Sequence, residues 1–117
     1  MNIAIIGTGN VGGALATNWS KKGHTINLGV QDETNFKGQE LLKNENTNVF
    51  SIQNAVAKSD IILIATPPTA IFEIIEQMGD VSEKIIIDAT NAIVKTPEPY
   101  KTVYHALQDK TNAEIVK

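Results

Sequence analysis

The sequence predicts an α/β fold in which one doubly wound parallel sheet carries helices on both faces. Short apolar segments alternate along its 117 residues with stretches whose apolar residues recur at helical spacing. The segment Ile61 to Ala65 is apolar throughout, as is typical of a strand buried on both faces of a parallel sheet. The right-handed crossover rule then gives a single domain with the strand order 3-2-1-4-5-6.

The most specific motif lies at the start of the chain. A predicted strand over residues 1–6 runs into a turn of the form G-x-G-x-x-G, formed by Gly7, Thr8, Gly9, Asn10, Val11 and Gly12. In such turns the first glycine permits a tight bend, the second lets a pyrophosphate approach the backbone, and the third allows close packing of helix on strand. The motif predicts a Rossmann-type dinucleotide-binding domain with the pyrophosphate at a helix N-terminus.

A helix and a second strand complete the first structural unit. The helix is predicted over residues 10–22 and ends at Gly23, and the strand runs from Thr25 to Val30. The apolar side chains expected to face the sheet are those of Val11, Ala14, Leu15 and Trp19.

The later elements alternate in the same way. A polar stretch that begins at Gln31 contains a short helix near residues 36–43. Strands are then predicted at residues 48–51, 61–65, 84–89 and 113–116, and helices at residues 52–58, 68–78 and 100–109. Pro68 or its neighbour begins the second of these helices, because a proline is tolerated at the first helical position.

The composition excludes several classes of function. The net charge of −3 offers no basic surface for nucleic acid, and the absence of cysteine excludes disulfides, thiolate catalysis and zinc-thiolate sites. The longest apolar run is too short to cross a bilayer, and residues 1–6 lack the features of a signal peptide. We therefore expect a cytoplasmic protein with neither nucleic acid nor membrane as a partner, and with no metal site.

The predicted binding site lies beyond the carboxyl ends of the strands, where ligands bind in open parallel sheets at the point of reversed strand order. Four loops are expected to meet there, at residues 8–11, 30–32, 66–68 and 90–92. The residues predicted to contact a dinucleotide are Gly7, Thr8, Gly9, Asn10, Val11, Gly12, Val30, Gln31, Asp32, Ala65, Thr66, Pro67, Thr90 and Asn91.

Several of these residues have a second interpretation. Thr8 either contacts a phosphate through its hydroxyl or backbone N–H group or is an exposed loop residue. Asn10 is also a candidate helix cap. Asp32 follows the last glycine of the turn by 20 residues, which is the spacing of an acid that binds the ribose hydroxyls. Alternatively, Val30 or Gln31 occupies the sugar-reading position, and Asp32 is a solvated turn carboxylate.

The other titratable side chains are assigned structural positions. Asp60 is expected in a turn that leads into a strand, and Asp88 is expected to stabilise the loop that follows it. His24 is assigned to the amino end of its strand, opposite the site, and His105 to the surface of a late helix. The sequence therefore identifies no catalytic residue.

Three stretches of the sequence resemble one known family. Residues 5–16 with Gly23 and His24, residues 60–67 and residues 87–91 are similar to the N-terminal domain of the deazaflavin (coenzyme F420)-dependent NADP reductases. The resemblance implies hydride transfer between NADP(H) and a deazaflavin or similar small acceptor. It also implies that residues 7–12 contact the pyrophosphate and that Thr66, Pro67 and Asn91 lie near the nicotinamide.

Two departures from the family pattern leave alternatives open. Members that use NADP usually place a small hydroxyl residue and then an arginine where this chain has Val30 and Gln31, so NAD is an alternative cofactor and Lys37 a candidate substitute for the arginine. The family continues beyond the sixth strand into a helical portion that completes the acceptor site and often a dimer. We expect residues 1–117 to be an NAD(P)-binding domain without that portion, with a homodimer as one possible assembly. Other interpretations are a redox-sensing domain without catalysis and the cofactor domain of a small hydroxy-acid dehydrogenase.

Overall fold

A six-stranded parallel sheet forms the centre of the computed structural model, which describes residues 1–90, 98–99 and 102–116. Its strands lie in the order β3-β2-β1-β4-β5-β6, which confirms the predicted order and places the reversal between β1 and β4. The strands are β1 (Asn2–Ile6), β2 (Thr25–Val30), β3 (Thr47–Ser51), β4 (Ile61–Ile64), β5 (Ile85–Asp88) and β6 (Glu114–Val116).

Four α-helices connect these strands within the described ranges. A 3-10 turn at Gln39–Lys43 replaces the short helix predicted there, and another at Pro68–Ala70 leads into the third helix, as expected for a proline at a helix start. The fourth helix was predicted from residue 100, but residues 100 and 101 lie outside the described part of the chain. The helices are α1 (Asn10–Lys21), α2 (Ile52–Ala57), α3 (Ile71–Met78) and α4 (Val103–Lys110).

The core consists of two apolar clusters, one on each face of the sheet. Successive residues of β1 alternate between them, so that Ile3 and Ile5 join one cluster and Ala4 and Ile6 the other. The first cluster packs against α1, and the second packs against α2, α3 and α4. Burial on both faces explains why the central strands are apolar throughout rather than alternating with polar residues.

The face of α1 that contacts the sheet differs from the prediction. Gly12, Ala16 and Ser20 are buried, whereas Ala14 is exposed and Val11 is 54% exposed. A β-carbon added at Gly12 would lie 1.8 Å from the Gly7 carbonyl oxygen, so the first turn of the helix approaches the strand through small residues. The predicted stripe was wrong at two positions because close approach, rather than side-chain size, selects the buried face. Leu15 and Trp19 pack partly buried at its side, as expected.

Gly23 ends α1 as predicted. Its φ of +90° is in the left-handed region, which a glycine adopts without steric penalty. The Gly23 N–H donates to the Ser20 carbonyl and the His24 N–H to the Trp19 carbonyl, both at 3.1 Å, which together form a Schellman motif. His24 lies just before β2, at the opposite end of the parallel strands from the glycine turn. Among the described residues, no helix has both the length and the hydropathy needed to cross a membrane.

Candidate dinucleotide site

Each glycine of the turn after β1 has a different steric surrounding. Gly7 has a φ of +105°, and a β-carbon added there would lie 2.5 Å from the Ala65 carbonyl oxygen just after β4. Gly12 packs on the Gly7 carbonyl, as described above. Around Gly9, in contrast, an added β-carbon would meet nothing within 4 Å. Gly7 and Gly12 are therefore required by the fold itself, whereas Gly9 borders open space.

The N-terminus of α1 begins inside this turn. Gly9 is the N-cap residue and, as a glycine, has no side chain to accept a hydrogen bond from the first backbone N–H groups of the helix. The expectation that Asn10 caps the helix is therefore wrong, because Asn10 is the first helical residue and lies one position too late. An N-terminus without a side-chain cap presents N–H donors and the positive end of the helix dipole, which favour an anion.

A cavity of about 470 Å³ opens beyond the carboxyl ends of β1, β2 and β4, within the size range of small-molecule sites. It lies at the reversal of strand order, as predicted. Seven residues predicted from sequence line it: Gly7, Thr8, Val30, Gln31, Asp32, Thr66 and Pro67. Sequence reasoning missed the other lining residues, which are Ile6, Gly29, Asn35, Phe36, Ile52, Ala70, Glu73 and Ile74.

The remaining predicted contacts lie elsewhere. Gly9 and Asn10 line a separate cleft along α1, together with Thr8. Thr90 is buried and donates to Asp88 Oδ1 from its N–H at 2.9 Å and from its hydroxyl at 2.6 Å, so Asp88 stabilises the loop after β5 as expected. The prediction for Asn91 falls outside the described residues. Val11, Gly12 and Ala65 do not line the main cavity.

The loop after β2 packs directly on the glycine turn. The Thr8 hydroxyl donates a hydrogen bond to the Lys37 carbonyl. Gly38 has a φ of +97°, and a β-carbon added there would lie 2.7 Å from the Thr8 carbonyl oxygen. Since its hydroxyl is engaged in this contact, Thr8 has its backbone N–H group to offer a phosphate.

Asp32 begins a tight turn at the rim of the cavity. Its Oδ1 accepts hydrogen bonds from the Thr34 hydroxyl at 2.7 Å and from the Thr34 N–H at 3.0 Å. These bonds, the side-chain one first, lower the pKa of the Asp32 carboxyl below its ordinary value. Asp32 is therefore a solvated turn carboxylate, as the second interpretation of its sequence position expects, and it also lines the cavity.

Gln31 is tied to a distant helix. Its Nε2 donates to Gln77 Oε1 and the Gln77 Nε2 donates back to Gln31 Oε1, both at 2.8 Å. This reciprocal amide pair connects the end of β2 to the last turn of α3. No local pattern indicates it, because the two residues are 46 positions apart.

One polar atom in the cavity wall lacks an internal partner. Thr66 Oγ1 is buried and has no hydrogen-bond partner among the described residues. Buried hydroxyls are nearly always hydrogen-bonded in folded proteins, so an unpaired one beside a cavity is a candidate ligand contact. The signal was visible in the sequence only as a threonine at the end of a buried strand.

The histidines and acids do not cluster as metal ligands in the described ranges. No group of three His, Cys, Asp or Glu residues has a geometry that could hold a metal ion there. His105 is exposed on α4, with its Nδ1 2.7 Å from the Thr102 hydroxyl. Asp60 is exposed just before β4, where its N–H donates to the Asn2 carbonyl at 2.9 Å.

The sequence matches known oxidoreductases and a repressor over most of its length. The pattern of the family described as "NADP oxidoreductase coenzyme F420-dependent" matches residues 2–92. A glycerol-3-phosphate dehydrogenase [NAD(P)+] of Thermoanaerobacter sp. is 28% identical over 74% of this chain and 30% of its own. The redox-sensing transcriptional repressor Rex of Rubrobacter xylanophilus is 25% identical over 97% of this chain and 58% of its own. The chain thus spans less than two thirds of the length of either relative.

Solved structures share the fold. A candidate F420-dependent NADP reductase from Arthrobacter sp. FB24 superposes with a TM-score of 0.83 at 19% identity, over 98% of this chain and 60% of its own. An imine reductase from Myxococcus stipitatus, solved with NADP+, gives 0.75 at 16% identity, over 98% and 39% of the two chains. Because the family pattern covers more than half of the sequence, this chain belongs to the coenzyme F420-dependent NADP oxidoreductase family.

Proposed function

We propose that this domain binds NAD(P)H across the carboxyl ends of β1, β2 and β4 and presents it for hydride transfer to a small acceptor. The observation that carries the proposal is the α1 N-terminus, which has no side-chain cap and begins beside a cavity at the reversal of strand order. An anion-binding helix end and a cavity at this position are the two parts that dinucleotide binding requires in open parallel sheets.

The residues present suit the parts of a dinucleotide. Open space at Gly9 admits a pyrophosphate to the N–H groups of the turn, where a larger residue would intrude. Apolar side chains in the cavity wall, among them Val30 and Phe36, suit a flat adenine ring. The unpaired Thr66 hydroxyl is the candidate polar contact on the side of β4.

The protein's part in the reaction is to bind and orient. A nicotinamide dinucleotide supplies the hydride when bound, and such transfer needs no protein acid or base at the reacting carbon. The described residues that line the cavity include two carboxylates, Asp32 and Glu73, to which we assign no catalytic role. Thr66 and Pro67 are assigned to the nicotinamide side together with Asn91, and Gln31 and Asp32 to the adenosine side.

A deazaflavin of the coenzyme F420 type is the proposed acceptor. Family membership supports this acceptor, and the greater length of the relatives supports a further portion, or a second copy of the chain, that completes the acceptor site. Anaerobic stopped-flow mixing of the protein with NADPH or NADH and an oxidised deazaflavin would show loss of nicotinamide absorbance if this chain suffices for turnover.

Binding is the first test of the proposal. The protein is titrated with NADH and with NADPH, and binding is measured by calorimetry and by nicotinamide fluorescence. At least one of the two dinucleotides should bind saturably with one-to-one stoichiometry. Gly9→Ala should weaken that binding about tenfold or more, since a methyl group would occupy the approach of the pyrophosphate. Absence of binding of either dinucleotide at millimolar concentration would refute the proposal.

A redox-sensing domain is the second candidate function. The match to the Rex repressor extends over 97% of this chain, more than the 74% matched by the glycerol-3-phosphate dehydrogenase. A sensor binds the reduced or oxidised dinucleotide and transfers no hydride. Saturable binding combined with no turnover for any acceptor would favour the sensor.

A further inference from the structure

The charged side chains in the cavity are all of one sign within the part of the chain that the structure describes. Asp32 at the end of the β2 segment and Glu73 on α3 line it, and no lysine or arginine does so among the described residues. Lys37 is close in sequence, but its carbonyl holds the Thr8 hydroxyl and it does not line the cavity. A ligand group with several negative charges would therefore meet two carboxylates and no cation.

We infer that this domain prefers NAD(H) to NADP(H), with Asp32 as the residue that determines the preference. The inference rests on the proposed function, because it concerns the adenosine side of the same site. NADP differs from NAD by a 2′-phosphate, which carries a charge of about −2 at neutral pH like other phosphomonoesters. Sites that bind this phosphate supply an arginine, whereas sites that bind the free ribose diol supply a carboxylate.

Asp32 is placed and charged for the second of these roles. The hydrogen bonds from Thr34 to Oδ1 fix the orientation of the carboxylate at 2.7 Å and 3.0 Å and favour its ionised form. A ribose hydroxyl can donate to a carboxylate oxygen, but a phosphate dianion beside the same group is repelled. Asp32 lies two residues beyond the end of β2 and 20 residues after Gly12, which is the spacing of the acid that hydrogen-bonds the ribose in this fold.

Gln31 offers no positive charge to offset this repulsion. Its side-chain amide is held by Gln77 through the two 2.8 Å hydrogen bonds described above. An amide cannot form the charge-assisted, bidentate contact by which a guanidinium binds a phosphate. The residue that would select NADP is thus replaced by one that is neutral and already paired.

The test compares dissociation constants for NADH and NADPH with the same protein at low salt. We expect NADH to bind at least tenfold more tightly, and we expect the ratio to shrink in 0.5 M salt because charge repulsion near the surface is screened. Equal binding of the two, or tighter binding of NADPH, overturns the inference and leaves the proposed function intact. Failure of both to bind overturns the proposed function itself. A preference that salt does not change overturns the role of charge.

Two variants and a matched control locate the effect. Asp32→Asn should reduce the preference for NADH at least fivefold, and Gln31→Arg should raise NADPH affinity about tenfold. Asp60→Asn removes an equal charge just before β4, at the opposite end of the strands from the cavity, and should leave the ratio unchanged. A ratio that Asp32→Asn leaves as in the wild type, in a protein with unaltered circular dichroism, contradicts the assignment of Asp32.

Discussion

At the level of single residues, two glycines of the turn after β1 should respond differently to substitution by alanine, because Gly12 is crowded and Gly9 is not. Gly12→Ala places a β-carbon 1.8 Å from the Gly7 carbonyl oxygen. Because the backbone fixes the position of the β-carbon and the carbonyl belongs to the main chain, no side-chain rotation can relieve the overlap. We expect this variant to lose about 2–4 kcal/mol of unfolding free energy, as for severe overpacking in a core. Urea denaturation followed by circular dichroism measures the loss.

Gly9→Ala is the matched control for that prediction. No atom lies within 4 Å of a β-carbon added at Gly9, and its φ of −81° suits alanine. Its unfolding free energy should stay within about 1 kcal/mol of the wild type. Equal destabilisation by the two substitutions would show that the steric difference between the two glycines has been misjudged.

A second residue-scale prediction concerns pH. Asp80 Oδ1 accepts a hydrogen bond from the Ser82 N–H at 3.0 Å, and this bond lowers the pKa of the folded-state carboxyl below its ordinary value of 3.8. A carboxyl with a lowered pKa stabilises the fold above its unfolded pKa, and that contribution is lost as the pH falls through the folded pKa.

Comparison of Asp80→Asn with the wild type would measure this contribution. Asparagine retains an oxygen acceptor for Ser82 but does not titrate, so the stability advantage of the wild type should be present at pH 6 and should shrink as the pH falls below 3.8. Urea unfolding at pH 6, 4 and 3 provides the comparison. A constant difference across this range would rule out a role for the carboxylate charge.

At the level of elements, a buried polar network joins the start of β4 to its neighbours. Asn27 of β2 and Ser59 before β4 are only 3% and 2% exposed, and Asn27 Nδ2 donates to Ser59 Oγ at 2.9 Å. Ser59 Oγ in turn donates to the Ala55 carbonyl of α2 at 2.7 Å. The Lys84 ammonium donates to the Ser59 carbonyl at 2.6 Å, just before β5. Ser59, which lies just before β4, therefore forms hydrogen bonds with β2, with α2 and with the residue that precedes β5.

Ser59→Ala should lower the unfolding free energy by about 1–3 kcal/mol, because it leaves the buried Asn27 amide without its acceptor. Denaturation with urea measures the change. The double variant Asn27→Leu, Ser59→Ala removes both polar groups and should be less destabilised than the sum of the two single variants. Simple additivity would mean that the two side chains do not act as a pair.

The regular elements were predictable because their signals are local. Runs such as Ile61 to Ile64 and the spacing of Ile52, Ala55 and Val56 depend on neighbouring residues only, and both elements form as expected. The buried face of α1 was predicted incorrectly, since the approach of Gly12 to the Gly7 carbonyl depends on tertiary packing.

The candidate site was predictable to a smaller extent. Thr66 and Pro67 were predicted because they follow the end of a strand. Phe36 lies in the loop after β2 and Glu73 lies on α3, and no local sequence pattern indicates that either residue lines the cavity. The Gln31–Gln77 pair joins residues 46 positions apart, and its geometry depends on the assembled sheet and on α3. Contacts of this kind are set by the fold as a whole.

At the level of the whole molecule, dinucleotide binding should raise stability by mass action. A ligand that binds only the folded chain at 100 times its dissociation constant adds about 2.7 kcal/mol to the unfolding free energy. At equal millimolar concentration, NADH should therefore raise the thermal midpoint more than NADPH does. The Gly9→Ala variant serves as the control and, with binding about tenfold weaker, should show about half of the NADH stabilisation seen in the wild type. A larger shift with NADPH would contradict the preference for NAD(H).

The central position of β1 in the sheet also affects when its strand pairs can form during folding. Ile3 pairs with Ile26 on one side and with Ile61 on the other, so its second neighbour arrives from nearly sixty residues away. Parallel pairs need crossover connections, and such distant pairing makes folding slow. A growing chain that has reached only β2 holds the glycine turn without the opposite wall of the cavity. The glycine turn is thus synthesised before β4, the strand that completes its surroundings.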